Sequence, residues 1–197
     1  LKGRLKDLAN AAFRQNRYTY TNFLSAADME VFYSNLEQLS FAGYTIFGGR
    51  ESCDRVMIAF GNEADCGYAP AFPICTMKVS AVSDKFSDDL NHRDFLGALM
   101  NLGIEREMVG DILITESTHS GKHNNAYIFC VDTVADYIAE NLTKIRHTNV
   151  KCTFCSTQDT DEIQIKKEPL HIIAASARAD AVTATITGLS RSSTSLL

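Results

Sequence analysis

Two cysteines with one histidine on either side have the spacing that best suits a metal ion. Cys152 and Cys155 are separated by two residues, His147 precedes them and His171 follows them. A structural zinc site commonly uses two such close pairs of ligands. Because the sequence has only one close pair, we expect no metal ion and interpret this segment as a strand with two small thiol side chains. We expect the six cysteines to be free thiols.

The sequence lacks the usual motifs for nucleotide cofactors and for catalysis. It has neither a Gly-x-Gly-x-x-Gly loop nor a P-loop, so we expect no cofactor. The run from His92 to Asp94 resembles part of a kinase catalytic loop, but it precedes a helix and lacks the other kinase elements. We interpret Asp111 as a residue at the start of a strand. The sequence therefore indicates a protein that is not an enzyme.

An alternating pair of aromatic residues offers a different chemistry, the stacking of nucleic-acid bases. Tyr127 and Phe129 share one face of a predicted strand, and Lys122 lies upstream of them. RNA-recognition domains stack bases on aromatic residues of this kind. The full pattern of a basic residue, a glycine and spaced aromatics is absent. Two alternating aromatics in a strand more often belong to a core, so both interpretations stay open at this point.

Composition fits an ordinary globular protein of one or two domains. The chain has 197 residues, of which 45% are hydrophobic and 22% are charged. No apolar run approaches the ~18–20 residues that cross a bilayer, and the first residues lack the apolar core of a secretory signal. We therefore expect a cytoplasmic protein with no membrane partner. The net charge of −5 argues mildly against a general nucleic-acid binder, although the first 27 residues carry a net charge of +4.

Hydrophobic periodicity predicts a small α+β domain over residues 1–70. Apolar residues at helical spacing predict a helix over residues 1–15. Ser25 and Asp28 resemble a capping box that starts a second helix, with apolar positions as far as Leu39. Two strand-like runs, 44–47 and 56–60, predict a hairpin. The following segment, 62–73, has two of the three prolines and is interpreted as a linker or irregular loop.

The middle of the chain, residues 71–156, has the element order β-α-β-β-α-β. Predicted strands cover residues 74–82, 111–115, 127–131 and 150–154; one predicted helix runs from Asn91 to Gly103, and the other from residue 132 through Ile145. This order is the ferredoxin-like split pattern that RNA-recognition domains use. The fold hosts many unrelated functions, so it does not by itself specify one. Residues 157–173 are polar and are predicted to be a linker.

The last segment, residues 174–197, resembles the start of the RNA-binding module named after small-subunit ribosomal protein S-four, also called alpha-L. That pattern has Arg and Asp at the start of one short helix, a glycine turn, and Ser-Arg at the start of a second. The matching residues are Arg178, Asp180, Gly188, Ser190 and Arg191. Ser190 can cap the second helix, whose N–H groups suit a phosphate, and arginine offers planar donors to the same group. The sequence ends at Leu197, inside that second helix, so we expect the β-hairpin that completes the module to be missing.

Longer stretches resemble the bacterial YlmH family. They include residues 92–99, 102–107 and 110–113 in the centre, and residues 19–24, 47–49 and 141–145 elsewhere. The resemblance implies an N-terminal α+β domain, an RNA-recognition-like middle domain and an S-four-type module. It also implies a cytoplasmic RNA-binding protein that is linked to the large ribosomal subunit and to rescue of stalled translation complexes. Ser193 departs from the pattern, because the family often has Lys there.

These observations lead to the hypothesis of a non-catalytic protein that binds ribosomal RNA or tRNA on the large ribosomal subunit. The candidate RNA contacts are Arg178, Ser190 and Arg191 in the tail, and Arg93, Lys122, Lys144, Arg146 and Lys151 in the middle domain. Arg93 lies at a helix start, where the helix dipole disfavours a positive charge. We regard a functional role and a structural role for this arginine as equally plausible. Lys144 and Arg146 are expected at a helix end, where positive charge is favourable anyway. The alternatives are a protein-interaction adaptor linked to cell division, with the acidic middle as its surface, and an RNA-modifying enzyme.

Overall fold

The structure is a computed structural model that describes residues 1–117, 121–156, 158–161, 172–174, 176 and 178–187. The chain divides into two compact units, Leu1–Gln164 and Ile165–Leu197. The first unit contains two antiparallel sheets, one in the N-terminal domain and one in the middle domain. Across the described residues, no helix is both long and apolar enough to cross a membrane.

The N-terminal domain packs two helices on a three-stranded sheet. Its elements are α1 (Lys2–Gln15), β1 (Thr19–Tyr20), α2 (Ala26–Ser34), β2 (Tyr44–Phe47), β3 (Met57–Phe60) and α3 (Glu63–Cys66), and the sheet order is β1-β3-β2. The central strand β3 is buried along its whole length. Leu5, Ala9 and Ala12 form the buried stripe of α1, as the helical spacing predicts. The strand β1 was not predicted, because two residues are too few to show a period.

The capping box at the start of α2 is confirmed, but the helix is shorter than its apolar pattern predicts. The Ser25 side chain accepts a hydrogen bond from the Asp28 N–H, and the Asp28 carboxylate accepts one from the Ser25 N–H. The helix ends at Ser34, because the Asn35 side chain donates to the Val31 carbonyl in place of a backbone N–H. Two 3₁₀-helical turns follow and bury Leu39 without continuing the helix.

The middle domain has the predicted β-α-β-β-α-β order with one additional short strand. Its elements are β4 (Ile74–Ala81), α4 (His92–Asn101), β5 (Val109–Thr115), β6 (Asn125–Val131), α5 (Asp132–Asn141), β7 (Lys144–Ile145) and β8 (Thr148–Cys155). The strands are arranged β5-β6-β4-β8-β7, and every pair is antiparallel. The first and third strands of the motif thus lie at the centre of the sheet, which is the ferredoxin-like arrangement.

Local signals at the first helix of this domain are confirmed, and one prediction at the second helix is wrong. Asn91 and Asp94 form a capping box at the start of α4, and Gly103 adopts a φ of +81° just after its end. Helix α5 ends at Asn141, so Ile145 does not lie in it. Ile145 pairs with Thr148 in the β7–β8 hairpin and is buried in the same core that a longer helix would have reached.

The core of the middle domain lies between one face of the sheet and the two helices. Phe95 and Leu99 of α4 and Ile138 of α5 pack against Met77, Val79 and Ile128 of the sheet, and all six are fully buried. This core occupies only one face of the sheet. The opposite, outer face is therefore the surface whose surroundings decide what the domain can bind.

Two further helices are described beyond the sheet. Helix α6 (Gln158–Asp161) lies in the segment predicted to be a linker, and α7 (Ala179–Thr187) lies in the second unit. The Arg178 carbonyl accepts hydrogen bonds from the Ala181 and Val182 N–H groups, so Arg178 is at the start of α7. A short helix at this position is what the tail pattern predicts. Gly188, Ser190 and Arg191 lie outside the described residues.

Candidate nucleic-acid interface

The two aromatic residues of β6 differ in burial: Phe129 lies under the N-terminal domain, and Tyr127 lies on the part of the outer sheet face that this domain leaves uncovered. Because side chains alternate along a strand, Ile128 and Cys130 face the helices while Tyr127 and Phe129 lie on the outer face. Phe129 has no exposed surface and packs with Phe23 of the N-terminal domain. Tyr127 is half-buried. Phe129 is therefore a core residue between the two sheets, and Tyr127 is the remaining member of the predicted pair.

The N-terminal domain approaches Phe129 so closely that only glycine fits at the contact. Gly49, in the loop after β2, has a φ of +106°, and a Cβ atom built on it would lie 2.5 Å from the Phe129 ring. Gly110 of β5 has the same relation to the Phe23 ring, again at 2.5 Å. Met57 and Val131 complete the buried cluster between the sheets. The two domains thus share a packed interface, which we call the sealed half of the outer face.

A polar network around Arg55 and Asp111 closes the edge of this interface. The Arg55 guanidinium donates hydrogen bonds to the carbonyl oxygens of Val109 (3.0 Å) and Phe23 (2.9 Å). The Asp111 carboxylate accepts hydrogen bonds from the backbone N–H groups of Asp54 (2.8 Å) and Arg55 (3.1 Å). Burial lowers the pKa of Arg55, although nearby carboxylates oppose the shift. Asp111 lies inside β5, two residues after the strand begins and not at its start as predicted, and its carboxylate joins the two domains.

The other part of the outer face, which we call the open half, is polar and basic. Beside Leu113 and Thr115 of the edge strand β5, it consists of Lys78 and Ser80 of β4, Asn125 and Tyr127 of β6, and Lys151 and Thr153 of β8. Lys78 lies between Tyr127 and Thr153 in the strand register, and its Nζ is 5.4 Å from the centre of the Tyr127 ring. None of these six strand residues is acidic. Lys151, a predicted contact, lies on this surface and is exposed.

Sequence reasoning did not identify Lys78 as a candidate contact. A signal was available in the alternation of β4, where Met77 and Val79 are buried and Lys78 and Ser80 point the other way. A single lysine inside an apolar strand matches no motif, however. Its meaning becomes visible only when the register places it beside Tyr127 and one strand from Lys151.

Two of the predicted contacts lie together at a second place, on the edge of the sheet next to α4, and a third lies in the first turn of that helix. Lys144 lies in β7, Arg146 lies in the turn that follows, and both are exposed. Arg146 Nη1 is 3.7 Å from an Asp94 carboxylate oxygen in the first turn of α4, where the exposed Arg93 also lies. The helix-end location expected for Lys144 and Arg146 is wrong, because α5 stops at Asn141 and the chain turns into β7.

A cleft accompanies this second basic cluster. Its volume is about 420 Å³, and it lies between α4 and the end of α5, with Lys144 and Arg146 among the residues that line it. The Arg146 backbone has a φ of +52°, a left-handed conformation that costs a non-glycine residue about 1 kcal/mol or more. The tight turn directs the arginine toward α4, where it contacts Asp94.

The remaining predicted contacts, in the loop before β6 and in the tail, differ in their hydrogen bonding and exposure. Lys122 Nζ donates a hydrogen bond to the Ser87 carbonyl at 2.6 Å, so this lysine joins two loops of the domain. Arg178 is exposed at the start of α7. Ser190 and Arg191 lie outside the described residues. The structure thus brings together Lys144 and Arg146, with Arg93 in the neighbouring first turn of α4, and it places Lys151 on a separate surface with Lys78.

The Cys130 thiol is buried and the Cys53 and Cys152 thiols are half-buried, so none of these three is poised for chemistry. Burial raises the pKa of Cys130 to about 12 and the pKa values of Cys53 and Cys152 to about 11. These groups remain protonated thiols at neutral pH and are poor nucleophiles. In the described part of the chain, no three His, Cys, Asp or Glu side chains are grouped so that they could hold a metal ion. His171, the distant member of the candidate zinc set, lies outside that part.

Comparison with known proteins relates the middle domain to RNA binding. Residues 70–159 match the family model described as "Putative RNA-binding domain in YlmH". The Bacillus subtilis (strain 168) protein named "Ribosome-associated protein quality control protein P2" is 28% identical over 177 residues, which cover 90% of this chain. The chain spans 65% of the length of that relative.

A solved structure supports the fold. The structure described as "Cell division protein ylmH from Streptococcus pneumoniae" superposes with a TM-score of 0.60, at 17% sequence identity. The match covers 82% of this chain and 92% of that one. The mixed α/β architecture described above, with both the N-terminal and the middle domains, is therefore shared with the Streptococcus pneumoniae protein.

Proposed function

We propose that this chain, whose residues 70–159 belong to the YlmH family, binds RNA without catalysing a reaction on it. The observation that carries the proposal is the match of the middle domain to an RNA-binding domain, on a fold whose exposed surfaces present two groups of cations. The targets proposed are ribosomal RNA or tRNA on the large ribosomal subunit, in the cytoplasm. The name of the Bacillus subtilis relative supports a role in rescue or quality control of stalled translation complexes.

The cations of these two surfaces would act mainly on the phosphate backbone. On the open half, the half-buried Lys78 and the exposed Lys151 lie next to neutral polar residues. Beside α4, Arg93 and Lys144 are exposed, and Arg146 is paired with the Asp94 carboxylate. Each phosphate that a protein neutralises releases counterions, so the logarithm of the binding constant falls with the logarithm of salt concentration by about 0.7–0.9 per contact. Such contacts fix the position of the protein on RNA and carry little sequence information.

The tail supplies a further proposed set of contacts. Arg178 is exposed at the first turn of α7, and Ser190 and Arg191 follow in the S-four-type pattern. Arginine is suited to phosphate because its planar guanidinium presents paired donors. In this proposal the tail and the middle domain contact RNA together, and neither alone provides the full affinity.

A salt series of co-sedimentation with purified ribosomal subunits tests the proposal. We expect the chain to sediment with the large subunit at low salt and to dissociate as salt rises. We expect Lys78→Gln with Lys151→Gln, and separately Lys144→Gln with Arg146→Gln, to weaken binding and to flatten the salt dependence by about 0.7–0.9 per contact removed. Lys2→Gln with Arg14→Gln, which also removes two exposed positive charges, both on α1, is the matched control. Binding that is insensitive to salt and to both double variants would contradict phosphate recognition.

An adaptor function is the second candidate, and exposed aromatic residues on the N-terminal domain favour it. Phe13 of α1 and Phe41 form an edge-to-face pair with ring centres 5.4 Å apart, and the two residues are 56% and 48% exposed. Exposed aromatic clusters are typical of protein-binding surfaces. In the same sedimentation experiment, binding that persists at high salt and is lost in Phe13→Ser with Phe41→Ser would indicate this function.

A further inference from the structure

We infer that the middle domain binds double-helical RNA through the sugar-phosphate backbone of the RNA and does not bind single-stranded RNA by base stacking. The inference rests on the proposed RNA binding and specifies the class of RNA. Its basis is the way the N-terminal domain covers half of the outer face of the middle sheet. A domain of this topology that reads single strands uses that same face, with two or three bases stacked on aromatic side chains.

The platform for stacking is reduced to a single ring. Of the two outward aromatic residues of β6, Phe129 has no exposed surface, and Tyr127 is half-buried with Lys78 beside it. Each stacked base improves binding about 5- to 150-fold in single-strand-binding proteins. Loss of even one stacking position therefore costs single-strand affinity at least several-fold, whereas it leaves phosphate contacts unchanged.

The contacts by which the N-terminal domain covers Phe129 are part of the native fold. Gly49 lies against the Phe129 ring where no other residue fits, and Arg55 donates hydrogen bonds to carbonyl oxygens of both domains. The Phe23 N–H also donates to the Glu107 carbonyl at 2.9 Å, next to the buried cluster. Exposing Phe129 to a base would break these contacts together and would expose the apolar residues beneath them. The sealed half is thus unavailable to a base in the native protein.

The open half suits a double helix instead. Lys78 and Lys151 are accompanied there by the hydroxyl groups of Ser80 and Thr153 and the amide of Asn125. Proteins recognise duplex RNA by shape, through contacts of this kind with phosphates and 2′-hydroxyl groups. A duplex also presents a higher charge density to the two lysines than a flexible single strand does.

Fluorescence anisotropy with two labelled RNAs tests the inference on this chain. One probe is a hairpin with a stem of about 16 base pairs, the span that double-stranded-RNA-binding domains cover, and the other is an oligouridine with the same number of nucleotides. We expect the hairpin to bind at least about tenfold more tightly at the same salt concentration. Lys78→Gln with Lys151→Gln should weaken hairpin binding by a similar factor, while Tyr127→Leu, which keeps the apolar volume, should change it less than about threefold.

The outcomes separate this inference from the proposed function. Oligouridine binding as tight as hairpin binding, or a loss of oligouridine binding of about tenfold or more in Tyr127→Leu, would overturn the inference and leave RNA binding in place. Failure of both probes to bind would overturn RNA binding by this chain and the inference with it. Circular dichroism spectra of the variants establish that each is folded before binding is compared.

Discussion

The guanidinium of Arg55 provides the sharpest test of the interface that seals half of the sheet. It donates hydrogen bonds to Val109 O at 3.0 Å, to Phe23 O at 2.9 Å and, at a longer 3.4 Å, to Arg106 O. A hydrogen bond that involves an ionised group contributes about 1.5–3 kcal/mol. The Arg55 side chain is half-buried, so water can replace part of what is lost. We therefore expect Arg55→Ala to lower the free energy of unfolding by about 3 kcal/mol.

The assay for this change is thermal or urea unfolding, followed by near-ultraviolet circular dichroism. For a unit of this size, about 3 kcal/mol corresponds to a decrease in Tm of roughly 6–12 °C. The matched control is Arg4→Ala, because Arg4 also joins the N-terminal helix to the middle domain, through an exposed ion pair with Glu107 at 3.6 Å. An exposed pair contributes less than about 1 kcal/mol. If Arg55→Ala were no more destabilising than Arg4→Ala, the reasoning about the interface would be refuted.

Three further predictions concern local features. Gly49→Ala should destabilise the protein, because the new Cβ atom would lie 2.5 Å from the Phe129 ring. Gly97→Ala in α4 places a Cβ atom where nothing lies within 4 Å, so it should stabilise the protein by about 0.5–1 kcal/mol. Urea unfolding of the two variants compares their stabilities. The capping hydrogen bonds lower the pKa of Asp28, so its contribution is present above pH ~4 and is lost as the pH falls through the lower, folded-state pKa. The stability difference between the wild type and Asp28→Asn should therefore shrink over this acid range; a constant difference would contradict the prediction. Cys130 should resist iodoacetamide at pH 8 in the folded protein, since burial raises its pKa to about 12, and mass spectrometry of the peptides would detect any early modification.

Local chemistry made much of the fold predictable. The capping box at Ser25 and the N-cap at Asn91 predicted the starts of α2 and α4, because the side chains that satisfy the first N–H groups lie within three residues in the sequence. Helix ends were less predictable. Helix α2 ends where the Asn35 side chain donates a hydrogen bond to the Val31 carbonyl. Ile145 follows the helical spacing of α5 although it lies in the β7–β8 hairpin. Periodicity indicates which residues are buried more reliably than it indicates the element that buries them.

The candidate site was predictable only where a residue acts by its own charge and exposure. Lys151 could be chosen as a cation in a predicted strand, and the structure places it on the open half. The state of Phe129 depends on Gly49, which is 80 residues away and belongs to another domain. Similarly, the role of Arg55 depends on carbonyl groups of Phe23 and Val109. Such contacts are products of tertiary packing and leave no periodic signal in the sequence.

Lysine footprinting in the presence of the RNA hairpin tests most directly whether the open half of the middle sheet contacts RNA. Reductive methylation followed by mass spectrometry gives the modification rate of each lysine with and without RNA. We predict that Lys78 and Lys151 are protected when the hairpin is bound, and that the exposed Lys2 of α1 reacts at an unchanged rate. Equal rates for Lys78 and Lys151 with and without bound RNA would contradict the account.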